Sequence, residues 1–153
     1  MVSQMIELRS VTQDDVATVT KMVGSLLLEL HDGEPGSDDR VCSVAEVLRE
    51  TGRSFGFLAY ERDRPVGLLM MTEGVAIFAG GVYGQITELF VERDVRSQGV
   101  ASILVQRAAE YGRERGWKRL DVGAPHQPQW SRTLNFYRSE GFVEVGPRLR
   151  MDL

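Results

Sequence analysis

Residues 89–104, LFVERDVRSQGVASIL, hold the most chemically informative arrangement in the chain: an apolar run fit for a strand, a polar turn, then Arg96-x-x-Gly99-x-Ala101 opening an amphipathic stretch. At the start of a helix the first backbone N–H groups have no internal acceptor. The helix dipole adds partial positive charge, so an anion gains hydrogen bonds there without a lysine. Gly99 has no side chain and lets the backbone come close to such an anion. The stretch is a candidate phosphate site, yet two familiar phosphate loops do not fit it. A Walker loop needs Gly-Lys-Ser/Thr where Gly99 is followed by Val100 and Ala101. The dinucleotide fingerprint needs its glycines between strand and helix, whereas Gly80, Gly81 and Gly84 precede a strand.

A phosphate turn of this kind must be positioned by a strand before it and a helix after it, and the periodicity of the chain supplies both. Residues 5–9 read as a short strand. After Thr12, an N-cap residue, apolar side chains recur at Val16, Val19, Val23, Leu26, Leu27 and Leu30, one face of a helix. Residues 31–40, HDGEPGSDDR, contain no apolar side chain and predict a solvated loop, and a second helix is expected over 43–50. SFGFLAYER, the turn Asp63-Arg64-Pro65 and VGLLMM predict an antiparallel hairpin. Residues 76–82 read as a connection and residues 85–91, QITELFV, as another strand. Helical spacing returns with Val100, Ile103, Leu104, Ala108 and Tyr111, punctuated by Gly112 and Gly116. A short strand over 118–122, an irregular stretch between Pro125 and Pro128, a helix over 131–140 closed by Gly141, and terminal strands over 142–145 and 149–153 complete the order. The sum is a mixed α/β sheet in a single domain, 1–153, with no repeat and no linker.

Composition narrows the function. With 153 residues, 42% apolar and 26% charged, the chain is sized for one core. Its net charge of -4 removes the broad attraction to phosphate backbones or anionic lipid, so neither nucleic acid nor membrane is an expected partner. The single cysteine, Cys42, allows no internal disulfide, and no Cys/His spacing suggests zinc or another metal. No apolar run approaches the roughly 20 residues of a membrane span, and a cytoplasmic location is expected. Cys42 has no basic neighbours that would activate it, and Met70-Met71 reads as core filling.

Arg96, Gly99 and Ala101 match the acetyl-CoA motif of the GCN5-related N-acetyltransferase (GNAT) family: Gln or Arg, two residues, Gly, one residue, Gly or Ala. LFVERDV is similar to that family's fourth strand and turn, and NFYRSEGF, residues 135–142, resembles its Phe/Leu-Tyr and Gly-Phe signature near the carboxyl terminus. The resemblance spans residues 5–153. It implies the GNAT fold, a mixed central β-sheet flanked by about four helices, and transfer of an acetyl group from the co-substrate acetyl-CoA to an amine by direct attack. By resemblance, the amides of Arg96, Ser97, Gln98, Gly99, Val100, Ala101 and Ser102 would hold the pyrophosphate, with added charge from Arg96 and from Arg93, unless Arg93 is simply a solvated arginine. The backbone of Leu89, Phe90 and Val91 would pair with the pantetheine arm, and a main-chain N–H near Val91 would meet the oxyanion.

Tyr137 falls at the family's tyrosine and would donate a proton to the leaving thiolate, a role open to a phenol of ordinary pKa about 10; a core aromatic is its other reading. Glu88 would act as base, directly or through water, or else serve as a structural or acceptor-binding carboxylate. Strict alternation puts Glu88 on the face of Ile86 and Phe90, and a bulge of the kind common in the family would reset it. Trp130 departs from the pattern, since members often have Asn seven residues before the tyrosine. His126 could contact the acceptor or be a solvated loop residue, whereas His31 has no expected role. Glu29, Asp32, Glu34, Asp38 and Asp39 would form an acidic wall of the acceptor cleft favouring a cationic amine, or simply solubilise a loop. The acceptor would be an amine on a small molecule or a protein, and a homodimer is compatible with the resemblance. A non-catalytic acyl-CoA-binding or sensing module is the competing function on the same fold.

Overall fold

A computed structural model of the chain describes residues 5–30, 40–124 and 130–153. The order is β1 (Ile6–Ser10), a 3₁₀ turn (Gln13–Asp15), α1 (Val16–Leu30), α2 (Arg40–Arg49), β2 (Ser54–Glu61), β3 (Arg64–Ala76), β4 (Gly81–Val91), a second 3₁₀ turn (Arg93–Val95), α3 (Val100–Arg115), β5 (Leu120–Val122) and α4 (Ser131–Ser139). The entry to α1 is set by Thr12: its hydroxyl accepts from the Asp14 N–H at 3.2 Å, and its own N–H donates to the Asp15 carboxylate at 2.7 Å.

Among the described residues the strands form one five-stranded sheet in the order β1-β2-β3-β4-β5. The first four are antiparallel neighbours, and β5 runs parallel to β4. A parallel pair needs a crossover, and α3 supplies it. β3 and β4 are longer than the sequence predicts because they pair with each other past the end of β2, as far as Ala76 opposite Gly81. The tip of that hairpin turns through Gly80 and Gly81, at φ 82° and 127°.

Two apolar layers cover the sheet. On one face Phe57, Leu69, Met71, Ile86 and Val91 pack with Val100, Leu104, Val105 and Ala108 of α3 and with Trp117. On the other, Leu58, Leu68, Met70 and Phe90 pack with Val19, Met22 and Val23 of α1 and Val44 and Leu48 of α2. Gly67 of β3 lets α3 settle closely on the sheet, since a Cβ there would lie 3.0 Å from Val100 Cγ1 and 3.1 Å from Leu104 Cδ1. The start of α3 is thereby seated beside Val91, the strand partner of Gly67.

Trp117 locks the far end of α3. Its indole N–H donates to Glu73 Oε1 at 2.6 Å, and Arg115 grips the same carboxylate at 2.9 and 3.2 Å. Together these donors hold Glu73 below its ordinary pKa, the Arg115 hydrogen bond first. The ring lies against Gly84 and Gly112, so Gly112 sits inside α3 as a packing residue, and the helix ends at Gly116, whose φ is 78°.

Three further expectations are corrected. α2 begins at Arg40 rather than at residue 43. β5 is confined to Leu120–Val122. The two terminal strands are absent: residues 142–153 join no ladder, and Val143 and Leu149 are 80% and 96% exposed. An edge of only three residues offers few bonds, and Gly146 at φ 123° followed by Pro147, which has no N–H, interrupts the run. Residues 31–39, with His31, and 125–129, with His126, lie outside the described residues.

Gly112→Ala should lower stability although alanine is the better helix former by about 1 kcal/mol. The new methyl carbon would stand 2.7 Å from Trp117 Cε3, and overpacking of this kind costs roughly 1–3 kcal/mol. Thermal unfolding should show Tm falling by about 2–10 °C; an unchanged or higher Tm would remove Trp117 from its locking role.

Candidate active site

β4 and β5 part company at the centre of the sheet. They pair only from Gly84–Leu120 to Ile86–Val122, after which β5 ends while β4 continues to Val91 along β3. Over residues 87–91 one edge of β4 therefore has no strand partner among the described residues, and alternate N–H and C=O groups face the gap. The gap opens into a cleft of about 910 Å³ lined by β4, the turn into α3, α4 and the end of α1.

The register of β4 decides which side chains reach this cleft. Met70 pairs with Glu88 but Met71 pairs with Ile86, so Thr87 is an extra residue, a β-bulge. Ile86 consequently packs on the α3 side and Phe90 on the α1 side, on opposite faces of the sheet. The alternation that places Ile86, Glu88 and Phe90 together is broken, and Glu88 joins the face of Met70 and Phe90. Thr87 Oγ1 donates a hydrogen bond to the Glu88 carboxylate. Burial pushes the Glu88 pKa up, and the Thr87 hydroxyl opposes that rise. Tyr137, on α4, also lines the cleft and is 7% exposed, its ring set edge-on to Phe142 at 5.5 Å between centroids. Burial raises its phenol to about 12.

The turn into α3 is held from several sides. Val95 is buried in the core, the Glu92 N–H donates to Val66 O at 2.8 Å, and the Arg64 guanidinium pairs with both Asp94 oxygens at 2.6 and 2.8 Å. Two residues then take left-handed backbone, Ser97 at φ 70° and Gly99 at φ 84°. Gly99 occupies the N-cap position of α3 with no side chain of its own to cap the helix, and a Cβ on Gly99 would meet no described atom within 4 Å. The backbone N–H groups at this helix start form a cradle whose chemistry suits an anion, so the residues present fit the diphosphate of acetyl-CoA.

Not every expected residue faces the cleft. Arg96, Ser97, Gly99, Val100, Ala101 and Ser102 line it, whereas Gln98 does not. The Val100 side chain is buried in the core, leaving its backbone for a ligand. Leu89, Phe90 and Val91 line the cleft from β4, with Phe90 and Val91 buried. Trp130 precedes α4, lines the cleft and makes no side-chain cap, so it brings an apolar ring where the family often has an amide. Glu29 is not part of a free acidic wall: its carboxylate accepts from Arg96 and Arg93. Asp32, Glu34, Asp38 and Asp39 lie outside the described residues. Arg132, Thr133 and Arg148 also line the cleft, and no local motif singles them out.

Comparison with known proteins establishes the family and the fold. The model of the acetyltransferase (GNAT) family matches residues 25–142, and the chain belongs to that family, whose enzymes use acetyl-CoA as co-substrate. No curated protein matches the sequence. Among solved structures, a possible acetyltransferase from Clostridium difficile 630 is similar with a TM-score of 0.83 at 17% identity, over 97% of each chain. A predicted acetyltransferase with acetyl-CoA from Clostridium acetobutylicum gives 0.79 at 17% identity, over 97% of this chain and 96% of that one. An aminoglycoside acetyltransferase from an uncultured soil metagenomic sample, in complex with sisomicin, gives 0.80 at 16% identity, over 97% and 96%. At these identities the likeness establishes the fold. No described helix is long and apolar enough to cross a membrane.

Gly99→Val should abolish measurable acetyl-CoA binding in titration calorimetry, because a β-branched side chain is strained at φ 84° and projects into the cradle. Unchanged affinity would move the diphosphate elsewhere.

Glu88 supplies a prediction of opposite sign for stability. Because its folded pKa is raised, the folded chain holds the proton more tightly than the unfolded chain. Stability contributed by this group falls as pH rises from about 4, the unfolded carboxyl range, through the folded value. Glu88→Gln, which keeps an acceptor for Thr87, should be at least as stable as the parent at about pH 8, with the difference shrinking toward about pH 4. Denaturant unfolding at both pH values checks this, and a variant less stable at high pH would contradict it.

Proposed function

We propose that this domain, 1–153, transfers the acetyl group of acetyl-CoA directly to an amine. One observation carries the reading: a single cleft brings together the uncapped start of α3, the unpaired edge of β4, the half-buried carboxyl of Glu88 and the buried phenol of Tyr137. Free acyl-CoA binding would need only the first two. The last two are the groups a proton-coupled transfer requires, which favours an enzyme over a sensing module.

In the proposed reaction the amine nitrogen attacks the thioester carbonyl carbon, forming the C–N bond. The C–S bond breaks, and its electron pair leaves with sulfur. The nitrogen loses its extra proton, and Glu88, made more basic by burial, takes it directly or through water. Backbone N–H groups on the open edge of β4, near Val91, stabilise the negative charge that develops on the carbonyl oxygen. A phenol at about 12 stays protonated at neutral pH, so Tyr137 is a fixed hydrogen-bond donor for the departing sulfur. Complete transfer to a thiolate, whose thiol titrates near 8.5, is uphill in the resting site; most of the help comes from the hydrogen bond as charge develops. Cys42 is exposed and free, as suits a reducing, cytoplasmic setting.

Release of free thiol from acetyl-CoA, followed across a panel of small amines, aminoglycosides and peptide amino termini, tests the reading. One or more acceptors should accelerate release, and binding without acceptor-dependent release would favour the sensing module. With a working acceptor, Tyr137→Phe should lower kcat roughly 100-fold with coenzyme affinity little changed. Unchanged chemistry-limited turnover would leave Tyr137 as packing alone.

A further inference from the structure

Glu29 and Arg96 meet across the mouth of the cleft from two elements far apart in sequence. Glu29 stands next to last in α1, and Arg96 opens the turn into α3. Arg96 Nη2 lies 2.8 and 3.0 Å from the two Glu29 oxygens, and Arg96 Nε donates to the Val91 carbonyl at 2.9 Å. Arg93 Nε reaches the same carboxylate at 3.1 Å. The Glu29 side chain is only 15% exposed, against 41% for Arg96 and 78% for Arg93. An exposed ion pair is weak and easily exchanged, but a largely covered carboxylate that loses its cation is left stranded. Of the two cations on Glu29, Arg96 is the closer and the more covered, so it is the partner that an entering anion would find harder to draw away.

The geometry of the guanidinium fork then matters. With Nε and Nη2 engaged, Nη1 is the corner of Arg96 that bonds to no described residue, and the side chain lines the cleft. We propose that Glu29 is a positioning residue for the coenzyme: it pins Arg96 against the Val91 carbonyl and leaves Nη1 as a fixed donor to the diphosphate. The ion pair also ties α1, one wall of the cleft, to the turn that holds the phosphates. This inference rests on the acetyltransferase reading of the site and assigns Glu29 to the coenzyme half of the cleft, not to a wall selecting the acceptor. A repulsive role, in which Glu29 competes with the diphosphate for Arg96, predicts the opposite sign.

Two acetyl donors separate these outcomes, acetyl-CoA and S-acetylpantetheine, which lacks the diphosphate. Glu29→Ala should weaken calorimetric acetyl-CoA binding and raise its KM about tenfold, with kcat within about twofold. Its kcat/KM with S-acetylpantetheine should equal that of the parent. Glu29→Gln retains one oxygen for Arg96 and should lose only roughly threefold, which also serves if the alanine variant folds poorly. In an Arg96→Ala background, Glu29→Ala should add no further loss of acetyl-CoA affinity. The proposal is overturned by unchanged or tighter acetyl-CoA binding, by an equal loss with both donors, or by losses that add in the double variant. If the parent itself released no thiol with any amine, the transfer reading would fail, while the calorimetric comparison would still judge the role of Glu29.

Discussion

β4 bonds to β3 along its length but to β5 over only three residue pairs, and the edge left without a described strand partner between Thr87 and Val91 lines the cleft. A backbone N–H or C=O out of water needs a partner, so an open edge inside a fold is costly unless solvent or a ligand reaches it. Here the opening is kept by the elements around it. α3 must cross from the end of β4 to the start of β5, and its close seat on Gly67 at one end and Trp117 at the other holds it in place. The parallel pair stays short because β5 ends at Val122, before β4 does.

The same opening separates two kinds of environment a few residues apart. At the α3 end the chain offers an uncapped helix start and guanidinium groups, an environment for phosphate. Deeper in the cleft Glu88 and Tyr137 lose solvent, and desolvation raises both pKa values. For a carboxyl the rise gives a stronger base, and for a phenol it secures the protonated form. One physical effect thus suits the two groups to the opposite proton tasks of the proposed reaction, because they begin on opposite sides of neutral pH.

The bulge at Thr87 links these parts. Were β4 to alternate regularly through Thr87, Glu88 would point to the α3 face, into an apolar layer with no room for charge. With it, Glu88 lies on the α1 side next to a hydroxyl donor, and the strand still presents Leu89 and Val91 to the α3 core. The facing of Glu88 toward the cleft and the packing of the core are met by one local irregularity.

Much of this was legible in the sequence. The spacing of Val16 to Leu30, the Thr12 cap, the hairpin residues and the Arg96-Gly99-Ala101 turn are local signals, and each arises from backbone and side-chain chemistry within a few positions. Tyr137 and Glu88 could be named as candidates because they adjoin recognisable motifs. Periodicity failed at the carboxyl terminus, where alternating Val143, Val145, Leu149 and Met151 read as strand although residues 142–153 join no ladder. The bulge could be suspected but not placed from sequence, since it depends on which β3 residue faces which β4 residue. The Glu29–Arg96 pair carries no local signal because its partners are brought together only when α1 packs against the sheet. Local preferences specify elements and turns; the unpaired edge of β4, the pKa shifts and the ion pair across the cleft are set by packing between distant segments, because desolvation and charge pairing depend on neighbours in space.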